Sequence, residues 1–357
     1  MSSIAPGIRA ALMRGGTSKG AFFLASDLPE DNEARDRILL AVMGTPDPRQ
    51  IDGVGGAHPL TTKVAVVSPS ARDEADVEYL FLQPGVDEPT ITDRQNCGNM
   101  LAAVGPFAVE RGLVQADDGV MEVRIWMRNT DGLAIARFPV SGGAPVYDGD
   151  TSISGVPGEA ARIDITFVDV AGGTTGALLP TGRVGDEVEG VQATLIDNGM
   201  PVVVMRAEDL GVTGYETCAE LESNDGLRER LESIRVTAGA LMGLGEVDGT
   251  TIPKLTLVSP PRFDGNVSTR TFIPHRCHTS IGVLGAVSVA TACLLVGSPA
   301  ASVYHETGSD VVRLEHPSGS MDATVTLTAD HPPQVAAAGI VRTARMLMDG
   351  IVYPRSY

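Results

Sequence analysis

The feature that most constrains the fold of this 357-residue chain is a weak internal repeat. Three landmarks occur twice in the same order, separated each time by roughly 180 to 190 residues. They are FFLASDLP (22–29) with VMRAEDLG (204–211), KVAVVSP (63–69) with KLTLVSPP (254–261), and two cysteine-containing turns (96–99 and 277–280). Each first landmark follows a glycine-containing turn, Gly15–Ser18 in one half and Asn198–Pro201 in the other. Because three matches at similar spacing rarely arise by chance, we predict two similar domains.

Alternating apolar and polar residues predict strands in both halves. They lie at 63–68, 77–83, 121–127, 161–168, 254–259 and 323–329. Helices are predicted at Asp31–Met43, Met100–Arg111, Leu221–Leu244 and Ile281–Val296. The second is expected to be interrupted near Pro106 and closed by Gly112. The expected fold class is α+β, with each domain a curled mixed sheet around a central helix of small residues.

The repeat also predicts the domain limits. The first domain is expected at 1–184, completed by the tail 341–357, and the second at 185–340. In this arrangement the two repeated turns would face each other across a cleft between the domains. Clefts of this kind commonly hold ligands, so the active site is expected there.

Composition excludes several classes of function. The 27 basic and 45 acidic residues give a formal net charge of −18, which would repel a nucleic-acid backbone. Aromatic residues make up only 4% of the chain, too few for platforms that stack single-stranded bases. The apolar run Ile281–Ser298 is rich in Gly, Ala, Ser and Thr and lacks basic anchors, which favours a buried helix over a membrane span. We expect neither a nucleic-acid nor a membrane partner.

The segment from Arg14 to Gly20 (RGGTSKG) combines two cations, two hydroxyls and three glycines. Glycine lets the main chain approach an oxyanion closely, the hydroxyls of Thr17 and Ser18 can donate hydrogen bonds, and Arg14 can neutralise charge. The order of residues is not that of a Walker motif. The segment is therefore either an anion cradle or a strand-to-strand turn with solvated charges.

Cysteine usage indicates a reducing compartment, the cytoplasm, because the four cysteines form neither a CxxC pair nor a metal-ligand spacing. Cys97 lies in the turn Asn-Cys-Gly-Asn just before a predicted helix, where free amide groups would stabilise a thiolate or a carboxylate. Gly98 and Asn99 suit a turn that presents its backbone, although a buried inert thiol is the alternative. Cys218 and Cys293 are interpreted as structural.

The equivalent turn of the second half runs from Arg276 to Ser280 (RCHTS) and again precedes an apolar helix. Arg276, His278, Thr279 and Ser280 offer donors suited to a second carboxylate. His278 could equally be a structural histidine. Met200, in the glycine-containing turn of the same half, is a further candidate for substrate contact.

Lys63 opens the first repeated strand after a glycine-rich approach. A lysine at this position is usually on the surface, but its neighbours are small or apolar. Burial beside a cleft would favour the neutral amine, and only that form accepts a proton. The repeat partner Lys254 lies beside a proline and is interpreted as structural.

Taken together, these segments resemble the PrpF family of cofactor-independent isomerases of small polycarboxylates, whose fold is similar to that of diaminopimelate epimerase. The resemblance covers almost the whole chain. It rests on MRGGTSKGAFF, IDGVGG with TTKVAVVS, NCGNMLAAVGPFAVERGL, CHTSIGVLGAVSVATACL, HPSG at 316–319 and RTARMLMDGIVYP at the end. The second turn departs from the epimerase pattern because Cys277 is displaced, so a symmetric two-thiol mechanism is not expected.

The resemblance implies that Lys63 and Cys97 are the acid/base residues and that neither a metal nor a cofactor is needed. Within the family the chain most resembles the isomerases of 4-oxalomesaconate, which shift a proton across an allyl system during degradation of lignin-derived aromatic compounds. The implied partner is a small tricarboxylate substrate, and a homodimer is one assembly left open. Alternatives are 2-methylaconitate cis-trans isomerisation, an itaconate-type Δ-isomerisation, and a non-catalytic polycarboxylate sensor.

Overall fold

The structure is a computed structural model that describes residues 7–330 and 333–355. The described residues form two compact units: unit one contains those up to Thr166 and from Arg342 onward, and unit two is Phe167–Val341. Residues 167–184 group with unit two by their contacts. The sequence-based limits of the two domains stay a prediction.

The described residues contain nineteen strands and six α-helices. The strands are β1 (Ile8–Gly15), β2 (Ser18–Leu24), β3 (Lys63–Pro69), β4 (Val77–Pro84), β5 (Ile91–Thr92), β6 (Gly119–Met127), β7 (Gly132–Ser141), β8 (Ala144–Pro145), β9 (Ile163–Phe167), β10 (Asp186–Val188), β11 (Val191–Asp197), β12 (Pro201–Arg206), β13 (Lys254–Ser259), β14 (Val267–Ile273), β15 (Arg276–Cys277), β16 (Val311–His316), β17 (Gly319–Leu327), β18 (Val335–Arg342) and β19 (Ala344–Val352). The helices are α1 (Asn32–Met43), α2 (Gly98–Leu101), α3 (Val104–Glu110), α4 (Cys218–Glu222), α5 (Asp225–Leu241) and α6 (Val283–Leu294). Every strand predicted from the alternating pattern is present.

The two units repeat one topology, which confirms the internal repeat. In unit one, β1 pairs antiparallel with β2, β2 parallel with β3, β3 antiparallel with β4, β4 parallel with β6, and β6 antiparallel with β7. In unit two, β11, β12, β13, β14, β16 and β17 pair in the same order and directions. Each parallel pair needs a crossover connection, and the helices lie in those connections.

The sheet of unit one is covered on both faces. Phe22 and Phe23 are adjacent in β2 and point to opposite faces, and both are buried. Phe22 lies against Phe107 of α3 with ring centroids 5.5 Å apart, whereas Phe23 joins the cluster that contains Leu39 of α1. Full burial of such a side chain contributes about 1.5–3 kcal/mol, so both faces stabilise the unit.

Unit two has the same layers. Val202 and Val204 of β12 pack with the small residues of α6, whereas Val203 and Met205 pack with Leu231 and Ile234 of α5. As predicted, α6 is a buried central helix, and its alanines pack in the core beneath the sheet. These layers confirm the α+β fold class. Along residues 7–330 and 333–355, no helix is long and apolar enough to span a bilayer.

Two of the predicted helices are each divided into two, and a division of the first was expected near Pro106. The helix predicted at Met100–Arg111 is two helices, α2 and α3, separated at Ala102–Ala103. Pro106 lies in the first turn of α3, where its missing N–H is tolerated, so the break falls before the proline rather than at it.

The helix predicted at Leu221–Leu244 is also two helices, α4 and α5. The side chain of Asn224 accepts a hydrogen bond from the backbone N–H of Leu227 and thereby starts α5. By contrast, α1 begins where predicted, because Asp31 caps it by accepting from Ala34.

Candidate active site

The glycine-rich hairpin and the Asn-Cys-Gly-Asn turn contact each other in unit one. A side chain on Gly15 would place its Cβ 2.3 Å from the carbonyl oxygen of Asn99, and one on Gly16 would meet the Asn99 side chain. Gly16 also has a left-handed φ of +49°. Glycine is therefore required at both positions, and two motifs far apart in sequence become one cluster.

Arg14 braces this hairpin. Its Nη1 donates to the carbonyl oxygens of Gly16 and Thr343, at 3.0 and 3.1 Å, and to Oγ1 of Thr343 at 2.9 Å. Burial and then the neighbouring charge of Arg345 lower the pKa of Arg14. Nη1 of Arg14 is thus used to bind backbone carbonyl oxygens. The assignment of Arg14 to substrate binding stays a prediction.

Asn99 links the hairpin to a buried cation that the sequence analysis missed. Arg342 Nε donates to Asn99 Oδ1 at 3.0 Å, which orients the amide so that its Nδ2 donates to Thr17 Oγ1 at 2.9 Å. Thr17 therefore keeps its own hydroxyl hydrogen for another acceptor. The side chain of Arg342 is buried beside Gly16, and its position at the start of the segment RTARMLMDG was the signal that could have revealed it.

Ser18 carries an unsatisfied polar group in this cluster. The residue is 2% exposed, and within the described ranges its Oγ has no hydrogen-bond partner. Ser18 alternates with Gly20 and Phe22 along β2, so it points to the face that α2 and α3 cover. Buried hydroxyls are normally paired, which makes Ser18 a candidate donor to a bound substrate.

Cys97 precedes α2 in an extended conformation and is half-buried. Its N–H donates to Asn96 Oδ1 at 2.8 Å, and the hydroxyl of Tyr79 donates to its carbonyl oxygen at 3.4 Å. Burial, and then the electrostatic effect of the neighbouring Cys97, raise the pKa of Tyr79 well above its ordinary value. Tyr79 thus remains a neutral phenol close to the cysteine.

The helix that follows Cys97 differs from the one expected. It has only four residues, so the summed helix dipole invoked from the sequence is small. Any stabilisation of a thiolate at Cys97 must come from individual amide groups.

Lys63 is buried at the start of β3, with 7% of its surface exposed. Its Nζ donates to Gln83 Oε1 at 2.6 Å and lies 5.1 Å from the centroid of the Phe81 ring. Within residues 7–330 and 333–355, no carboxylate forms an ion pair with this amine. The main chain of Lys63 also packs closely against Gly20 of the hairpin strand.

One face of β4 brings the lysine and the cysteine turn together. Tyr79, Phe81 and Gln83 alternate along this strand and share a face. Alternate residues lie about 6.5–7 Å apart in a strand. The amine of Lys63 lies over Phe81 and Gln83, and the Cys97 turn contacts the next position, Tyr79.

Unit two contains a separate cluster of histidines and hydroxyls. Ser280 N–H donates to His278 Nδ1 at 2.8 Å, and Ser280 Oγ lies 3.2 Å from His316 Nε2. Ser318 Oγ donates to the carbonyl oxygen of Thr279 at 2.7 Å and lies 3.3 Å from His316 Nδ1. The sequence analysis quoted the HPSG segment but named neither His316 nor Ser318 as a site residue.

The hydrogen bonds of this cluster define the role of His316. Because the Ser318 hydroxyl hydrogen is used on Thr279, Ser318 accepts from Nδ1 of His316. In the neutral ring Nε2 is then the acceptor, and it accepts a hydrogen bond from the hydroxyl of Ser280. His316 thereby orients one of the predicted substrate-binding residues.

The remaining predicted residues of unit two have mixed surroundings. Met200 lies in the β11–β12 turn, and its carbonyl oxygen accepts from Ser288 Oγ of α6 at 2.7 Å. Arg276 is exposed on β15.

Cys277 is buried, and burial followed by the neighbouring thiol of Cys218 raises the pKa of Cys277, which keeps it protonated. Burial likewise raises the pKa of Cys293 to about 12, in line with a structural role.

No metal is assigned to either cluster, because His, Cys, Asp and Glu side chains in the described part of the chain form no group of three or more that could bind one.

Comparison with known proteins identifies the family. The model of the PrpF protein family matches residues 6–355. The chain is 58% identical to 4-oxalomesaconate tautomerase from Pseudomonas putida (96% of this chain, 94% of the relative) and 56% identical to (4E)-oxalomesaconate Delta-isomerase from Novosphingobium sp. (96% of each). Among solved structures, a methylitaconate-delta-isomerase matches with a TM-score of 0.89 at 33% identity, over 99% of this chain and 96% of that chain. The chain belongs to the PrpF family.

Proposed function

We propose that this chain is an isomerase that moves a double bond of 4-oxalomesaconate by a 1,3-allylic proton shift, in the degradation of lignin-derived aromatic compounds. The relatives with the names reported above support the substrate. The observation that carries the proposal is the shared face of β4, where the buried amine of Lys63 and the Cys97 turn occupy neighbouring positions.

In the proposed reaction, the neutral amine of Lys63 removes a proton from a carbon conjugated to the keto and alkene groups. The carbon–hydrogen bond breaks, its electron pair spreads over the allyl system to the keto oxygen, and Lys63 becomes an ammonium. A proton returns to the distal allylic carbon from Lys63 or from the thiol of Cys97, and the double bond has then moved. No oxidant or reductant is consumed.

The hydroxyls of Thr17 and Ser18 are the proposed donors to the keto oxygen as negative charge develops on it. Thr17 has its hydrogen available because Asn99 donates to its oxygen, and Ser18 is buried without a partner in the described residues. Donors already oriented toward a developing charge stabilise the transition state without reorganising. Arg342 and the amide groups of Gly98 and Asn99 are proposed to bind a carboxylate, as are Arg276, His278, Thr279 and Ser280, and Met200 is proposed to contact the substrate.

A second candidate is isomerisation of methylitaconate or 2-methylaconitate, which proceeds through the same allyl anion. The structural relative named methylitaconate-delta-isomerase supports it. Those substrates lack the keto group, so their allyl anion has no keto oxygen for the hydroxyls of Thr17 and Ser18 to stabilise. This difference favours the keto acid.

The substrate is tested by an ultraviolet assay of the metal-free protein against 4-oxalomesaconate, 2-methylaconitate, aconitate and methylitaconate. We expect the highest kcat/KM with 4-oxalomesaconate, accompanied by solvent deuterium in the product. If another acid gives a higher kcat/KM, that acid replaces 4-oxalomesaconate as the proposed substrate. If the acids bind tightly but none is turned over, the result favours a non-catalytic polycarboxylate sensor.

The hydrogen bond between Ser280 and His316 leads to a separate prediction. If Ser280 binds a substrate carboxylate, Ser280→Ala and His316→Ala are each expected to raise KM about tenfold, about 1.4 kcal/mol, with little change in kcat. Because His316 acts through Ser280, the double variant should be no worse than Ser280→Ala alone. Additive losses in steady-state kinetics would show that the two residues act independently.

A cytoplasmic location is also proposed. All four cysteines are free thiols, as expected for a protein of a reducing compartment.

A further inference from the structure

Gln83 holds the amine of Lys63 through an amide whose orientation is determined by its surroundings. Its Nε2 lies 2.7, 3.2 and 3.3 Å from the carbonyl oxygens of Thr62, Pro84 and Pro59. Carbonyl oxygens only accept hydrogen bonds, so this end of the amide must be the NH2 group. The other end, Oε1, therefore faces Lys63 Nζ at 2.6 Å.

The charge of the group that binds an amine affects whether that amine can act as a base. A carboxylate within about 4–6 Å of an amine favours the ammonium, which cannot remove a proton, whereas a neutral amide directs the amine without adding charge. The ionisable residues on the flanking strands are Lys19 in β2 and Glu78 and Tyr79 in β4. Those in the segments that lead into β3 and that follow β4 and β5 are Asp47, Arg49, Asp52, His58, Asp87, Glu88, Asp93, Arg94 and Cys97. In the described part of the chain none of them forms a hydrogen bond or ion pair with the amine, whose partners are Gln83 and the Phe81 ring.

We propose that Gln83 is a positioning residue that aims the amine of Lys63 and, by being uncharged, adds no charge that would favour its ammonium form. The inference rests on the proposed function, because it takes Lys63 as the base. It gives β4 a specific part in the reaction. This strand carries Gln83, the acceptor for the amine of Lys63, two residues after Phe81, whose ring lies beside the amine.

The test is the pH profile of kcat/KM for Gln83→Glu, an almost isosteric change that places a carboxylate at the amine. We expect the acidic limb of the profile to move up by about 1 to 2 pH units. On the acidic limb of the parent this is a loss of about 10- to 100-fold, and activity should recover toward that of the parent at high pH. A merely structural defect would lower the whole profile without moving the limb.

Gln83→Met keeps the length of the side chain and removes both polar groups. We expect it to lower kcat about 10- to 100-fold at every pH, with KM nearly unchanged and the acidic limb in place. This variant also decides the matter if Gln83→Glu does not fold, because a folded Gln83→Met with the parent kcat overturns the proposal.

Gln50 provides a matched control. It is a buried glutamine of the same unit whose amide bonds Thr45, Ala57 and Thr62 but not Lys63. Gln50→Glu should lower the melting temperature without moving the acidic limb. The proposal is overturned if Gln83→Glu leaves the limb in place or if Gln50→Glu moves it equally. Loss of turnover in Lys63→Met together with an unmoved limb in Gln83→Glu would reject this inference alone and leave the proposed function standing.

Discussion

Replacing Lys63 by methionine is expected to lower kcat by about 10² to 10⁴-fold, the range for loss of a general base. Methionine keeps the apolar stem over Phe81 but cannot accept a proton. The unpaired Gln83 oxygen should cost about 1–3 kcal/mol of stability, which leaves a folded protein. The measurements are the initial rate by ultraviolet absorbance and the exchange of solvent deuterium into substrate, and both should fall together.

Lys254 is the matched control and also the rival base. It begins β13 and pairs in register with Val202, as Lys63 pairs with Gly20 in the first unit. Burial lowers the pKa of Lys254, so its environment favours the neutral amine. We expect Lys254→Met to keep near-normal turnover. The reverse pattern, with activity lost in Lys254→Met and kept in Lys63→Met, would transfer the role of base to unit two.

Cys97→Ser is expected to separate the two halves of the reaction. A serine hydroxyl at this position is a much weaker acid than a thiol, so delivery of a proton to the distal carbon should slow by about 10² to 10³-fold. Lys63 would still remove and return the first proton. Deuterium exchange into unreacted substrate should therefore persist while isomerisation is nearly lost, which nuclear magnetic resonance measures directly.

Cys218→Ser controls for the loss of a half-buried thiol outside the proposed site, and it should leave both rates unchanged. If Cys97→Ser lowers exchange and isomerisation in the same proportion, Lys63 delivers both protons. Unchanged kinetics in Cys97→Ser would remove the cysteine from the reaction altogether.

The order of strands and helices was predictable because it depends on local patterns. Alternation over six to nine residues predicts strands such as 63–68 and 254–259, and Asp31 signals the start of α1. The break in the second predicted helix was expected near Pro106 but lies at Ala102–Ala103, and the break at Asn224 was missed. A proline can interrupt a helix or merely begin one, an asparagine can cap one, and the packing of the flanking turns decides which.

The motifs of the proposed site were visible in the sequence, but their partners were not. Arg342 is 243 residues from the Asn99 side chain that it orients, and Ser280 lies 36 residues before His316. Gln83 is an unremarked glutamine within an ordinary strand pattern. Nothing local distinguishes it from a solvent-facing residue, since its importance comes from the amine placed beside it by the β3–β4 pairing.

By itself the amino-acid sequence determined the repeat, the α+β class, the family and the residue types able to carry proton transfer, because these depend on composition, period and short motifs. Tertiary structure alone decided which groups meet: Gln83 with Lys63, Tyr79 with Cys97, and Arg342 with Asn99. Hydrogen bonds act over about 3 Å, and only folding brings residues distant in the chain within that range.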